Sequence, residues 1–317
     1  MVDLIADPRE KFIELVDLDQ SRVQLEPHIM FVCGGPVDIK ELSNHSIRNM
    51  FMNLSGGLGD RSKGFILAEN FEDWNNGYRS LSDFENDIAF ISSLVVVFLE
   101  SAGALTEFGL FFANKAIRDK LIVVLHDDFH KSKSFIKLGL LDPLEHENQE
   151  SVRVYKIDHR DIENVKLDEV KDILDDVLEH CDSQQKSEKF DRNDRGHQIF
   201  MIYQVLDLFL ALTKSEIISN LNSLGIGMLK KDLDAALYIL QKFRLIGIEK
   251  KSSTYFYFVP TGLPKRVELY FSKVVRRFDA ATIRIEVNEF YKNASKSDKK
   301  HKQRMKVIEN AISGSEI

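Results

Sequence analysis

Residues 94–109 read Leu-Val-Val-Val-Phe-Leu-Glu-Ser-Ala-Gly-Ala-Leu-Thr-Glu-Phe-Gly, and this stretch decides the fold class. Its first six residues are apolar and largely β-branched, which is typical of a strand buried on both faces. The pattern that follows predicts a helix with Thr106 as its N-cap and Glu107 in its first turn. Such a strand-to-helix loop lies at the carboxyl edge of a parallel sheet, where α/β proteins bind ligands. We therefore expect Glu100 and Glu107 to face a crevice.

The segments on either side repeat the same alternation of strand and helix. Apolar runs predict further strands at 28–33, 64–68, 121–125 and 152–155. Helical periodicity predicts helices around 42–54, 81–91, 106–116 and 167–180. This order is typical of an α/β fold with a doubly wound, mostly parallel sheet and right-handed crossovers.

Two more of the predicted strands end in residues suited to a ligand site. One ends in Gly34-Gly35-Pro36, where the glycines allow the backbone to approach a ligand closely, and another ends in Glu69. Together with Glu100, these ends predict a pocket rich in carboxylates and poor in cations. Such a pocket suits a sugar ring, because carboxylates accept hydrogen bonds from ribose hydroxyls and stabilise positive charge at an anomeric carbon.

Composition excludes several classes of protein. The 317 residues suffice for two domains, and they contain neither an apolar run of about 18 residues nor a signal-peptide pattern, so we expect a cytoplasmic protein with no membrane partner. The two cysteines, Cys33 and Cys181, lie far apart and have no CxxC neighbour. This spacing argues against a disulfide framework and against a cysteine zinc site.

The net charge of −7 hides a division between two halves of the chain. Residues 1–185 contain 19 Lys and Arg against 35 Asp and Glu, a balance of −16, whereas residues 186–317 contain 24 against 15, a balance of +9. A basic half of this size is a candidate for contact with nucleic acid. The alternative is a solvated helical surface with a charged tail.

These patterns divide the chain into four predicted parts. The division is a helical segment at 1–27, a catalytic domain at 28–185, a winged-helix domain at 196–291 and a flexible or weakly helical basic tail at 292–317. The winged helix is predicted from three helices at 199–212, 214–224 and 229–243, followed by strands at 245–250 and 254–259. The third helix would place lysines near a duplex backbone, and the wing would brace the phosphates. These predicted nucleic-acid-binding residues are Lys230, Lys231, Lys242, Lys250 and Lys251. Asp232 and Asp234 on the same helix would repel a duplex, so docking onto a protein is the alternative.

The loop around residues 126–135 offers two weaker interpretations. His126-Asp127-Asp128-Phe129-His130 holds possible metal ligands, but no further cluster completes a ligand set, so we predict no metal. Lys131-Ser132-Lys133-Ser134-Phe135 fits either a phosphate contact at a helix start or a solvated loop.

An ordered set of motifs resembles the nucleoside deoxyribosyltransferase-like effectors of bacterial retrons. The set consists of Phe31 to Pro36, Ala68-Glu69, Leu81 to Asn86, Phe98 to Ser101 with Gly103, Thr106 to Gly109 and Lys120 to Val124. It covers residues 28 to about 145, and the family's carboxy-terminal winged helix matches the pattern interpreted above.

The resemblance implies roles for individual residues. Glu107 matches the glutamate that attacks the anomeric carbon, Glu85 falls where an acid holds the sugar, and Glu100 lies near a second such acid. The substrate-binding positions it implies are Cys33, Gly34, Gly35, Glu69, Ser101, Gly103 and Thr106.

It also implies a function, which is that of a retron toxin effector in abortive anti-phage defence. The effector would hydrolyse the nicotinamide–ribose bond of NAD or a related nucleotide, so NAD would be a substrate and no cofactor is needed. The implied partners are the retron reverse transcriptase and its branched RNA–DNA (msDNA), within a higher-order complex. Two alternatives remain: a deoxyribosyltransferase or hydrolase acting on deoxynucleosides, and a non-catalytic, nucleotide-sensing regulator that binds nucleic acid.

Overall fold

A computed structural model describes residues 7–37, 45–272 and 280–313 of the chain. Leu42, expected at the start of the second helix, lies outside these residues. Within the described part, no helix combines the length and apolar character that a membrane crossing requires.

The α-helices are α1 (Pro8–Glu14), α2 (Ile47–Ser55), α3 (Leu81–Ile91), α4 (Ala102–Ala113), α5 (Lys115–Arg118), α6 (Asp127–Lys131), α7 (Asp142–Glu147), α8 (Leu167–Ser183), α9 (Arg195–Phe209), α10 (Lys214–Ser223), α11 (Lys230–Lys242), α12 (Ala280–Ala294) and α13 (Lys299–Ile312). The strands are β1 (Val16–Gln24), β2 (Met30–Cys33), β3 (Phe65–Ile66), β4 (Leu94–Phe98), β5 (Leu121–His126), β6 (Val152–Tyr155), β7 (Ser187–Lys189), β8 (Ala211–Leu212), β9 (Gly247–Lys251), β10 (Thr254–Phe258) and β11 (Val267–Phe271).

The chain forms two compact units. The sheet unit comprises residues 25–73 and 82–185, and the C-terminal unit comprises the described residues of 1–24, 74–81 and 186–317. The observed units are therefore discontinuous in sequence, whereas the predicted domains are consecutive segments.

The sheet unit is built on five parallel strands in the order β3-β2-β4-β5-β6. The predicted parallel sheet is thus confirmed, and every residue of β2 and β4 is buried, as their apolar runs require. Residues of α2 and α8 share one core cluster with Val32 and Val96 on one face of the sheet. Phe31, which points to the opposite face, contacts Phe111 of α4 with ring centroids 6.0 Å apart. The sheet therefore carries helices on both sides.

The C-terminal unit contains two antiparallel sheets, with strand orders β11-β1-β7 and β8-β10-β9. The expectation of a helical segment at 1–27 is met only at α1, since Val16–Gln24 form the central strand of the first sheet. Leu18, Ser21 and Val23 are buried there, while polar residues between them are exposed. Strand pairing with β11 and β7 stabilises this segment, and those partners lie more than 160 residues away in sequence.

The basic end of the chain, predicted to be flexible or weakly helical, is helical. Residues 280–294 form α12 and residues 299–312 form α13. Arg304 of α13 is fully buried together with Val307, and its guanidinium donates to Glu216 Oε1 at 2.5 Å. An ion pair to a distant helix thus fixes a segment that is rich in charged residues.

The elements predicted for a winged helix are present within one or a few residues. They are the helices α9, α10 and α11 and the hairpin of β9 and β10, to which the short β8 adds a third strand. The winged-helix architecture itself stays a prediction.

Candidate active site at the carboxyl edge of the sheet

The loop after β2 packs tightly against the loop after β4. A Cβ atom on Gly34 would lie 2.9 Å from Phe98 Cβ, and one on Gly35 would lie 2.7 Å from Ser46 Cβ and 3.0 Å from Glu100 Oε1. Real Cβ atoms do not approach this closely. Both glycines are therefore required by packing within the protein.

Both carboxylate oxygens of Glu100 accept hydrogen bonds from the backbone. Oε1 accepts from the N–H groups of Gly35 (2.9 Å) and Arg48 (3.0 Å), and Oε2 accepts from the N–H of Ile47 (2.7 Å). Ile47 and Arg48 open α2, whose N-terminus favours a negative charge. Glu100, predicted as a catalytic acid, thus ties the glycine loop to the start of α2.

The helix after β4 begins earlier than expected. Ser101, not Thr106, is the N-cap of α4, and its hydroxyl accepts from Ala104 N at 3.1 Å and donates to Gly34 O at 3.2 Å. Thr106 lies inside the helix, where its hydroxyl donates to Ala102 O at 3.0 Å, and Glu107 consequently lies in the second turn. A serine at the strand end satisfies one of the first-turn N–H groups, that of Ala104, so the small residues after it can already be helical.

Arg48 is a central residue that the sequence analysis missed. Its guanidinium is 4% exposed, donates to Gly35 O at 2.7 Å and Val32 O at 3.1 Å, and pairs with Glu69. A cation in the first turn of a helix is unfavourable, so an arginine there indicates another task. That signal becomes readable only once the helix is known to begin at Ile47.

Cys33, Arg48, Glu69, Glu85 and Glu107 form one electrostatic group, which we name the carboxyl-edge site. Burial, followed by repulsion from Glu107 and Glu69, raises the pKa of Glu85 to about 7, and Arg48 opposes this shift. Burial also raises the pKa of Glu107, against the attraction of Arg48. One carboxylate oxygen of Glu107, Oε2, is buried without a hydrogen-bond partner among the described residues.

Cys33 contributes a neutral thiol to this site. Burial, with repulsion from Glu107 and Glu85, raises the pKa of the Cys33 thiol well above its usual range. The neighbouring Cys33 thiol in turn favours the ionised form of Glu107 and so lowers its pKa. The thiolate of Cys33, which is the nucleophilic form, is therefore disfavoured.

The other predicted residues lie in several different settings. Gly103 and Thr106 are exposed on α4, and Glu69 is 54% exposed beside Arg48. In the C-terminal unit, Lys230 and Lys231 are exposed at the start of α11. The ammonium groups of Lys242 and Lys250 lie over the rings of Tyr238 and Tyr255, at 5.4 and 5.1 Å, and Lys251 pairs with Glu249.

The structure brings together ligand-type atoms of His126, Asp127 and Asp128 within 4.8 Å of one another. Asp127 pairs with Lys131 and Asp128 with Arg160, so both carboxylates have cationic partners within the protein. The pairing of Lys131 likewise gives the basic loop an internal role, while its contact with phosphate stays a prediction.

The chain is similar to proteins of bacterial retrons. The model of the family described as STM3845 retron effector protein matches residues 44–250, a span that contains Arg48 and all four glutamates discussed above. The Escherichia coli protein named "Retron Ec73 putative ribosyltransferase/DNA-binding protein" is 28% identical over 163 residues, which are 48% of this chain and 51% of that protein. The E. coli protein named "Retron Ec86 putative ribosyltransferase/DNA-binding protein" is 32% identical over 126 residues, or 39% of each chain. The matches thus span about half or less of these relatives.

Proposed function

The chain belongs to the STM3845 retron effector protein family, and from this premise we propose that it is an effector enzyme that cleaves an N-glycosidic bond. Its substrate is NAD, cut between nicotinamide and ribose, or a related nucleotide. The nucleophile is Glu107. The effector role is a toxic one, in which loss of the nucleotide aborts phage infection.

The observation that carries this proposal is the different state of the glutamates at the sheet edge. Glu100 has both oxygens occupied by backbone N–H groups, whereas Glu107 has a buried oxygen with no hydrogen-bond partner in the part of the chain that the structure describes. A buried carboxylate oxygen without a partner is costly, and a substrate atom can satisfy it. Arg48 favours the ionised form of Glu107, which is the form that attacks carbon.

The reaction requires the Glu107 carboxylate and one water molecule. The Glu107 carboxylate bonds to C1′ of the ribose while the bond from C1′ to the nicotinamide nitrogen breaks, and its electron pair leaves with neutral nicotinamide. Water then attacks C1′, losing one proton, and releases ADP-ribose with regeneration of the carboxylate. The charge that develops on the ribose ring is stabilised by nearby carboxylates.

We assign to Glu85 the role of holding the sugar. Its pKa of about 7 leaves it partly protonated at neutral pH, so it can donate to one ribose hydroxyl and accept from another. Glu69 forms an ion pair with Arg48, and because it is half-exposed we assign it to the outer side of the site.

The partners we propose are the retron reverse transcriptase and its branched RNA–DNA, in a higher-order complex. The names of the two E. coli relatives include DNA binding, and the C-terminal unit carries a positive balance of charge. We assign the nucleic-acid contact to this unit. Its helices α9 to α11 and its β9–β10 hairpin would act as a winged helix.

The names of the relatives also favour a second candidate, the transfer of a ribosyl group to an acceptor other than water. The same attack by Glu107 serves both reactions, and the second step decides between them. A deoxynucleoside substrate belongs to this candidate as well.

The deciding experiment incubates the purified protein with NAD and separates the products by chromatography. We expect nicotinamide and ADP-ribose from the wild type and a loss of at least about a thousandfold in rate for Glu107→Gln, because a neutral amide is not a nucleophile. Glu72→Gln, which changes an exposed glutamate of the same unit, is the matched control and should retain full activity.

Other outcomes identify the alternatives. Nicotinamide without ADP-ribose, together with a new ribosylated product, would establish transfer, and a free base from deoxynucleosides would establish the deoxyribosyl reaction. Unchanged activity of Glu107→Gln would refute the assigned nucleophile. Ligand binding without turnover, also with the reverse transcriptase and msDNA added, would establish the regulatory hypothesis.

A further inference from the structure

The C-terminal unit contains a groove whose lining includes none of the five lysines predicted from sequence to bind nucleic acid. It has a volume of about 580 Å³ and lies between the start of α10, the β9–β10 hairpin and α13. Its lining includes Lys214, Lys300, Ser215, Thr254, Tyr255 and Tyr257. Among the described residues that line it, none is acidic, although the whole chain has a net charge of −7.

The two lysines of the groove are held in place and partly accessible. Lys214 donates to Asp234 Oδ1 at 2.5 Å and is 41% exposed, while Lys300 donates to Glu216 Oε1 at 3.1 Å and is 43% exposed. An ammonium group has three N–H donors, so one carboxylate leaves others available to a phosphate. The carboxylates thus orient both lysines without closing the groove.

Tyr255 adds an aromatic surface to this cationic lining. Tyr255 is 47% exposed, which is a large value for an aromatic residue on a strand. Lys250 lies over one face of the ring, 5.1 Å from its centroid, and adds positive charge there, so the face that can stack on a base is the opposite one. Aromatic rings next to lysines and hydroxyl groups are the means by which proteins stack unpaired bases and contact the sugar–phosphate backbone.

The other candidate surface for nucleic acid is α11, the predicted recognition helix, and it is partly covered. Residues 74–78 pack on α11: the Tyr78 hydroxyl donates to Ala235 O at 3.2 Å, and the rings of Tyr78 and Tyr238 are 5.9 Å apart. A Cβ atom on Gly77 would lie 2.3 Å from Tyr238 Cγ, so this contact is close. Lys231 and Lys242 share the helix stripe of Ala235 and Tyr238 by their spacing. The middle of that stripe is therefore not available to the groove of a duplex.

We propose that the groove between α10, the β9–β10 hairpin and α13 binds a single strand of nucleic acid, with phosphates at Lys214 and Lys300 and a base on Tyr255. A single strand is favoured over a duplex because stacking on Tyr255 requires an unpaired base face. The volume lies within the range of about 300 to 1,000 Å³ typical of small-molecule sites, which suits one or two nucleotides. The inference rests on the nucleic-acid part of the proposed function and is independent of the glycosidic chemistry.

The test measures fluorescence anisotropy of a labelled oligo-dT of about 12 nucleotides with the full chain over a range of salt concentrations. We expect the double variant Lys214→Gln/Lys300→Gln to weaken binding at least about tenfold and to make the slope of log K against log salt about 1.4 less steep, which corresponds to two lost phosphate contacts. Lys265→Gln, an exposed lysine of the same unit outside the groove, is the matched control.

A second pair of variants tests the stacking contact separately. Tyr255→Ala should weaken binding about tenfold with an unchanged salt slope, while Tyr255→Phe, which keeps the ring, should bind as the wild type does. Thermal unfolding of each variant establishes that the unit is intact.

Three results would overturn the inference. Equal or tighter binding of a hairpin duplex would exclude a single-strand site. Loss of binding in Lys230→Gln/Lys231→Gln, with the groove variants unaffected, would place the contact at α11 and leave the proposed function standing. No binding of either probe by the wild type would remove the nucleic-acid part of the proposed function together with the inference, and would leave the groove to a protein partner.

Discussion

At the scale of single residues, four glutamates of the sheet unit differ in their surroundings. Glu100 accepts hydrogen bonds from three backbone N–H groups, and Glu69 pairs with a buried arginine. Glu85 is buried and Glu107 is half-buried, and the charge of Glu107 raises the pKa of Glu85. Burial and like charge raise a carboxyl pKa, whereas N–H donors stabilise the anion. The same side chain therefore serves as a structural tie in one place and as a candidate for chemistry in another.

Glu85 predicts a pH dependence of stability. Its folded-state pKa is about 7 against 4.5 for the free group, so between these values the folded protein binds a proton that the unfolded chain has released. The stability of the sheet unit should thus fall as the pH rises from 4.5 to 7. Glu85→Gln has no proton to lose and should be more stable than the wild type at pH 8, by up to about 3 kcal/mol, with little difference at pH 4.5.

Hydrogen exchange of the β4 amides measures this effect, because β4 lies in the core of the same unit. A matched control is Glu72→Gln, where an exposed acid changes. If wild type and Glu85→Gln lose protection in parallel between pH 4.5 and 8, the raised pKa of Glu85 is wrong.

At the scale of elements, the start of α4 decides where Glu107 lies. A helix that begins after Ser101 places Glu107 in its second turn, whereas a start at Thr106 would have placed it in the first. Ser101 also donates to Gly34 O, so one hydroxyl joins the helix start to the glycine loop after β2. The cap therefore sets the geometry of the carboxyl-edge site as well as the helix.

Two alanine variants distinguish the observed cap from the predicted one. Ser101→Ala should lower the free energy of unfolding of the sheet unit by about 1 kcal/mol, because it removes the capping acceptor. Thr106→Ala should raise it by about 0.5 kcal/mol or less, because Thr106 lies inside the helix and alanine has the higher helix propensity. Denaturant unfolding, with hydrogen exchange of the α4 amides as the readout, measures the change in the free energy of unfolding for both variants. A larger loss in Thr106→Ala than in Ser101→Ala would favour the later helix start.

At the scale of the whole molecule, the C-terminal unit depends on the beginning of the chain. β1 lies between β11 and β7, and Phe12 and Val23 from the first 24 residues are fully buried. Glu216 of α10 binds Arg9 from α1 as well as Lys300 and Arg304 from α13. The two ends of the sequence are thus joined within one compact unit.

A fragment of residues 186–317 should therefore fold poorly, because its first sheet lacks the central strand. We expect broad thermal unfolding by circular dichroism for this fragment and a sharper transition, at least about 10 °C higher, when residues 1–24 are fused to it. The matched comparison is a fusion that carries Phe12→Ala. Its free energy of unfolding should be about 3 to 5 kcal/mol lower than that of the unchanged fusion. Cooperative unfolding of the bare fragment at the same temperature as the fusion would contradict this dependence.

The sequence by itself determined the elements that depend on local patterns. The apolar runs of β2, β4 and β5 predict buried parallel strands, the stripe of α3 predicts its bounds, and the three helices and hairpin after residue 195 lie where their periodicity places them. The convergence of Glu69 and Glu107 at one sheet edge also follows, because parallel strands end on the same side.

Only the tertiary structure decided which partner each polar group has. Backbone N–H groups from α2 bind Glu100, Arg48 enters the group of carboxylates, β1 becomes a strand between distant partners, and Glu216 fixes α13 through Arg304. Periodicity and apolarity are properties of neighbouring residues, so a sequence displays them directly. Hydrogen bonds and ion pairs join residues from 21 positions apart, as in Arg48 and Glu69, to 249 apart, as in Ser21 and Tyr270. Their energies depend on burial, which exists only once the chain has folded.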